Sequence, residues 1–222
     1  MSYPIIITGA ARSGTSMVAG IIDRCGAWGG DVLGPTPANK RGQYENRAIV
    51  DQVVKPYLHL QGLDPMCQRP LPDVNCLLPF DNLRQRVEGV LRAQGWDGDQ
   101  AWYYKCAKAC LMWPVWHKAF PNARWVVVRR KDEQIIASCL RTGFMRAYRD
   151  AAGWQKWVDV HKARFYEMVS LESGLDVCEI WPERFFVGDF LEAKSMIDWL
   201  GLEWDGNAVL DFVSPALWNG GK

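Results

Sequence analysis

Between two glycines five residues apart the chain reads Gly9-Ala10-Ala11-Arg12-Ser13-Gly14, and Thr15-Ser16 follow at once. Glycines at this spacing let a backbone turn tightly and aim successive N–H groups at one point, the usual way of holding a phosphate where a helix begins. The pattern is that of the nucleotide loop G-x-x-x-x-G-K-[ST] with one change: Thr15 stands where the lysine belongs, and the cation, Arg12, lies inside the loop. A triphosphate-cleaving enzyme needs that lysine on the β- and γ-phosphates and magnesium on the next hydroxyl. The loop therefore suits a phosphate end and is poorly built for Mg-ATP. A second cationic run, Arg129-Arg130-Lys131, closes an apolar stretch, and Ser138 follows Arg130 by eight residues. On a helix starting at Asp132 that serine lies roughly 9 Å along the axis. Lys105 ends another apolar segment, at the edge where open α/β sheets bind ligands.

These residues need elements to hold them. Pro4–Thr8 is a short β-branched run that stops at Gly9, which predicts a buried parallel strand. Met17, Val18, Ile21, Ile22 and Cys25 form a helical stripe ended by Gly26. A second stripe from Ile49 to Leu58 predicts a helix perturbed by Pro56, and 61–80, with four prolines, predicts a mobile or functional loop. Ala101–Cys106 and Arg124–Arg129 read as strands, followed by helices over Cys110–Phe120 and Asp132–Arg141. A long helix is predicted over Ala152–Ser170, a last strand over Arg184–Val187, and a helix over Leu191–Leu200 with Asp189 as its cap and Gly201 at its end. Strand–helix alternation without repeats or linkers implies one α/β domain over 1–222, a P-loop-type parallel sheet with helices on both faces and a tail at about 214–222.

Composition narrows the function. The 222 residues, 49% apolar, suffice for one substantial core. A net charge of +1 gives no footprint for coating nucleic acid. The longest apolar runs fall well short of the ~18 residues of a membrane span, and Met1-Ser2-Tyr3-Pro4 lacks the start of a secretory leader, so a cytoplasmic protein is expected. Seven scattered cysteines without a C-x-x-C pair predict neither a disulfide framework nor a metal site.

Arg12-Ser13-Gly14-Thr15-Ser16 resembles the 5′-phosphosulfate loop of the sulfotransferases that use 3′-phosphoadenosine 5′-phosphosulfate (PAPS). Arg130 and Ser138 resemble that family's 3′-phosphate pair, an arginine ending a buried strand with a serine eight residues on. Gly42-Gln43-Tyr44-Glu45-Asn46-Arg47, Tyr103–Leu111, and Val187–Leu191 with Trp199–Leu202 are similar to further segments of small bacterial members, so the likeness spans about Tyr3 to Trp218. It departs at Cys106-Ala107-Lys108, where the family carries Asp-Pro-Arg, at Asp132, where a proline is common, and in a C-terminal clamp reduced to Gly220-Gly221-Lys222.

The resemblance implies a metal-free transfer of sulfonate from PAPS to a hydroxyl or amine of a small molecule or glycan, leaving adenosine 3′,5′-bisphosphate. It implies cofactor contacts from Ala11, Arg12, Ser13, Gly14, Thr15, Ser16, Arg130 and Ser138. Arg12 would stabilise the departing phosphate and Lys105 the sulfonate in flight. Glu45 is the expected base, its pKa raised in a closed cleft; His59 is the rival, because other members use histidine. His117 and His161 lie on predicted helices and read as surface or interface residues. Arg141, Arg146 and Arg149 either steer an anionic acceptor or form a solvated face. Two alternatives stay open, a P-loop small-molecule kinase and a nucleotide-binding protein without turnover.

Overall fold

The computed structural model describes residues 3–37 and 39–213. Four strands, β1 (Pro4–Thr8), β2 (Trp102–Lys105), β3 (Arg124–Val128) and β4 (Asp176–Ile180), make one parallel sheet in the order β2-β1-β3-β4. The helices are α1 (Thr15–Arg24), α2 (Arg47–Ile49), α3 (Lys55–Leu60), α4 (Leu83–Ala93), α5 (Trp113–Ala119), α6 (Asp132–Arg141), α7 (Ala151–Val169), α8 (Leu191–Trp199) and α9 (Gly206–Phe212). None of them is long and apolar enough to cross a membrane among the described residues.

β1 is apolar without alternation because both its faces are covered. Ile5 and Ile7 pack with Val18, Ile21 and Ile22 of α1 and with α8 and α9, whereas Ile6 faces the larger cluster built on α3, α4, α5 and α7. Register places Ile6 between Tyr104 of β2 and Trp125 of β3, both buried.

Pro56 acts as the sequence predicts, with a local consequence. It has no N–H for the Gln52 carbonyl, and between α2 and α3 the chain widens into a π turn over Val50–Val54. Arg86 of α4 donates instead to the Gln52 carbonyl at 3.3 Å.

The expected last strand is corrected. Arg184–Val187 lies in a 3₁₀ turn over Pro182–Val187, begun by proline and ended by Gly188 in the left-handed region (φ 82°). The fourth strand is Asp176–Ile180, an edge strand whose charged, half-exposed residues hide it from an apolar pattern. The expected helix over Cys110–Phe120 is instead a 3₁₀ turn over Ala107–Met112 followed by α5, with Pro114 tolerated in the first turn. α4 and α9 are additional elements. Asp189 accepts from the Leu191 N–H at 3.2 Å, one residue ahead of the cap position. The expected tail at 214–222, including Gly220-Gly221-Lys222, lies outside the described residues.

Candidate active site at the reversal of the sheet

From β1 the chain leaves toward β2, and from β3 it leaves toward β4, so the connections part between β1 and β3. A crevice outside the carboxyl ends of those two strands is where open α/β sheets bind ligands. The Gly9–Gly14 loop leaves β1 there, and Arg129-Arg130-Lys131 leaves β3. Gly9 permits the two to approach: a Cβ on it would stand 2.5 Å from the Val128 carbonyl oxygen. Gly14 caps α1 in the left-handed region (φ 102°).

Arg12 shares that unfavourable backbone region (φ 75°) without a glycine's freedom. Two contacts hold it: Arg130 Nη1 donates to its carbonyl at 2.7 Å, and its own Nε donates to Ser138 Oγ at 3.0 Å. Arg130 Nε also donates to Gln134 Oε1 at 3.0 Å. The two sequence motifs thus meet at one point. Burial lowers the Arg12 guanidinium below its ordinary range. Burial, and then the charge of Arg12, push Arg130 down to about 10. Two half-sequestered cations side by side repel each other, and at Arg130 the charge of Glu183 offsets only part of the cost.

The remaining loop residues divide. Ala11, Gly14, Thr15 and Ser16 line the main cavity with Arg12, Arg130 and Ser138. Val18 N–H makes the first α-helical bond of α1, to Gly14 at 3.2 Å, and no acidic residue occupies the first turn, so its leading amides face the cavity without a competing charge. Ser16 Oγ is spent on the Gln43 carbonyl at 3.2 Å. Ser13 sits beneath the loop: it is fully buried, its N–H goes to the Ala10 carbonyl at 3.0 Å, and its Oγ has no hydrogen-bond partner among the described residues.

The excursion from Asp31 to Asn46 forms the opposite wall. Its two arms pair through Leu33 N–H to the Glu45 carbonyl at 2.8 Å. Asn46, 1% exposed, anchors it by donating to the Gly29 carbonyl at 3.0 Å and to Gln94 Oε1 at 2.7 Å, and it caps α2 through the Ile49 N–H at 3.2 Å. Glu45 is thereby set against the end of β2, where it receives a 2.7 Å bond from Lys105 Nζ. The expectation of a raised carboxyl pKa is corrected here. Burial does push Glu45 up, but the ammonium of Lys105, aided by Lys108 and Lys55, more than offsets it and leaves the group below its ordinary value.

The cavity encloses about 570 Å³, a ligand-sized volume. It takes in Arg12, Glu45 and Lys105 but not His59, which is exposed on α3. Arg141, Arg146 and Arg149 are also exposed and outside its wall. His161, read from sequence as a surface or interface residue, is buried and lines the cavity instead. The signal was present: with Trp154, Trp157, Val158, Phe165 and Met168 it occupies the inward stripe of α7. Met66, Cys67, Gln68, Phe144, Met145 and Trp157 are further wall residues that sequence reasoning did not single out. Among the described residues no cluster of three His, Cys, Asp or Glu side chains could hold a metal.

No family model and no curated protein sequence matches the chain. Solved structures do. The sulfotransferase STF9 from Mycobacterium avium is similar over 95% of this chain and 67% of its own, at 14% identity and a TM-score of 0.55. The sulfotransferase domain of the Synechococcus PCC 7002 olefin synthase is similar over 96% of this chain and 78% of its own, at 14% identity and a TM-score of 0.56. The chain therefore has the single-domain α/β fold of these proteins, a parallel sheet flanked by helices with a phosphate-type loop after its first strand.

Proposed function

We propose that the protein is a sulfotransferase that uses PAPS as donor. One observation carries the reading. Arg12, Arg130 and Ser138 converge at the sheet's reversal, while threonine replaces the lysine a triphosphate site requires. The fold likeness to sulfotransferases agrees with it.

The residues present fit such a donor. Arg130 and Ser138 would hold one phosphate, and the first-turn amides of α1 with Arg12 would hold the other. PAPS supplies a sulfonate on a good leaving group, and sulfuryl transfer develops less charge than phosphoryl transfer. Arg12 then stabilises the charge growing on the leaving phosphate oxygen, a differential contact strongest as the bond breaks. Lys105, held by Glu45, would offer its ammonium to the sulfonate in flight.

Adenosine 3′,5′-bisphosphate tests this directly. At a hundredfold over its dissociation constant it should stabilise the fold by about 2.7 kcal/mol without magnesium, on the order of 5–10 °C in Tm. Arg130→Ala should remove most of that shift, because a desolvated charge-assisted contact is lost. Stabilisation by Mg-ATP but not by the bisphosphate would establish the kinase reading instead. Arg12→Ala should lower turnover far more than bisphosphate affinity; equal losses would make Arg12 an ordinary binding residue.

A further inference from the structure

The wall of the main cavity is far more basic than the molecule as a whole. The chain carries a net charge of +1. Yet among the described residues eight basic side chains and only two carboxylates, Glu45 and Asp51, line this one space, an excess of six. The donor proposed above brings roughly four negative charges, half of them on its 3′-phosphate and half along its phosphosulfate. About two positive charges therefore remain on the wall for another group to meet.

The surplus gathers beside the phosphate loop. Thr8, the last residue of β1 before Gly9, donates its hydroxyl to the Ala107 carbonyl at 3.1 Å and accepts from the Cys110 N–H at 3.0 Å. The 3₁₀ turn that carries Lys108 is thereby fastened to the root of that loop. Lys108 is half-buried and gives one N–H to the Pro65 carbonyl at 2.6 Å, which leaves two of its three ammonium donors. Lys55 of α3 lines the same space, where its bond to Asp51 at 2.7 Å is open to solvent and weak. Arg47, two helical turns before Lys55, lines it as well. The charges of Lys105, Lys108 and Lys55 all act on Glu45, but that carboxylate closes on Lys105 alone, at 2.7 Å. Asp64 also feels Lys108, and both its oxygens are already committed to its own loop, through the N–H groups of Met66, Gln68 and Arg69 at 2.8–3.1 Å.

We propose that Lys108, together with Lys55 and Arg47, binds an anionic group on the acceptor, so that the molecule receiving the sulfonate is a hydroxyl compound already carrying a carboxylate or sulfate of its own. The inference rests on the sulfotransferase reading and names the substrate class of that site. An ammonium is a compact charge that meets a carboxylate or sulfate oxygen without the planar matching an arginine imposes. A half-buried ammonium with donors to give is stabilised far more by an anion than by a neutral group. Two anions held side by side, donor and acceptor, repel each other unless the wall overcompensates the first. The excess of basic side chains supplies that overcompensation.

The test uses the full chain as wild type, Lys108→Met and Lys108→Arg. Radiolabelled PAPS reports transfer to 4-hydroxyphenylacetate, to its isosteric neutral amide and to 4-hydroxyphenyl sulfate, and calorimetry measures bisphosphate binding. Wild type should favour the acid or the sulfate over the amide by about tenfold or more in kcat/KM, chiefly through KM, and the advantage should shrink as salt rises. The better of the two anions identifies the group the site is made for. Lys108→Met keeps the apolar stem and removes the charge. It should bring the anion-to-amide ratio to within about threefold of unity, with bisphosphate affinity and the KM for PAPS within about twofold of wild type. Lys108→Arg should keep most of the preference. A wild-type ratio near unity, or an unchanged ratio in Lys108→Met, would overturn the inference. So would a loss of bisphosphate or PAPS affinity in Lys108→Met as large as its loss on the anions, which assigns the charge to the donor. Should Lys108→Met not fold, the wild-type ratio decides alone. Failure of the wild type to bind bisphosphate overturns the sulfotransferase reading itself, whereas bisphosphate binding without preference for either anion removes this inference alone.

Discussion

Two groups in the cavity can exchange a proton, and the fold moves both downward for different reasons. His161 is pushed to about 4 by burial, only partly offset by its bond to the Trp157 carbonyl. Because its folded pKa lies below the ordinary histidine value of 6.5, the unfolded chain takes up a proton that the folded chain refuses. Stability should therefore decline from pH 6.5 downward, by up to about 3 kcal/mol near pH 4. His161→Gln should flatten that slope in pH-dependent urea titrations. Glu45 has a depressed pKa, so its contribution is full above the ordinary carboxylate range and is lost as pH falls through its lowered value. Glu45→Gln should cost about 1–3 kcal/mol at neutral pH by leaving the buried Lys105 ammonium without its counterion, and the added change Lys105→Met should recover part of that loss. At this scale sequence reasoning found the residues that end a strand or follow one within four positions, such as Lys105, Arg130 and Arg12. It missed His161, because the pocket around that side chain is assembled from segments at 66–68, 144–145 and 157–161 that no local pattern connects.

Among the elements, α1 shows how packing overrides propensity. Gly20 lies mid-helix, where alanine would ordinarily add about 1 kcal/mol of stability. Here a Cβ would stand 2.2 and 2.5 Å from two ring atoms of Phe212 on α9. That ring is held by the Arg24 guanidinium at 3.8 Å and by the edge of Tyr44 at 5.9 Å, so it has little room to retreat. Gly20→Ala should instead destabilise by about 1–3 kcal/mol in urea unfolding. β1, β3, α1 and α6 were legible because each is bounded by its own signals, glycines for the first helix and an apolar run ending in arginine for the second strand. β4 was not, since an edge strand needs no continuous apolar run. The Phe185-Phe186-Val187 run mimicked one, although Pro182 and Gly188 frame a turn. In α4 the spacing Leu83, Val87, Leu91 was present but diluted by four charged residues over the helix.

Across the whole molecule, two unequal clusters sandwich a four-stranded sheet, and sulfotransferase structures at 14% identity share the arrangement. What is shared at such identity is the fold rather than the side chains. The loops proposed to hold phosphate leave the two central strands. The part of the cavity wall from Asp64 to Gln68 and from Phe144 to Met145 belongs to connections whose length can change at little entropic cost. Two glycines inserted between Asn75 and Cys76, both exposed, should leave bisphosphate affinity within about twofold while shifting the ranking of alcohol acceptors. If the proposed donor is right, a lineage built on this plan is free to exchange what it accepts while keeping what it spends. Descendants should differ most around Gln68 and His161, and least at Gly9.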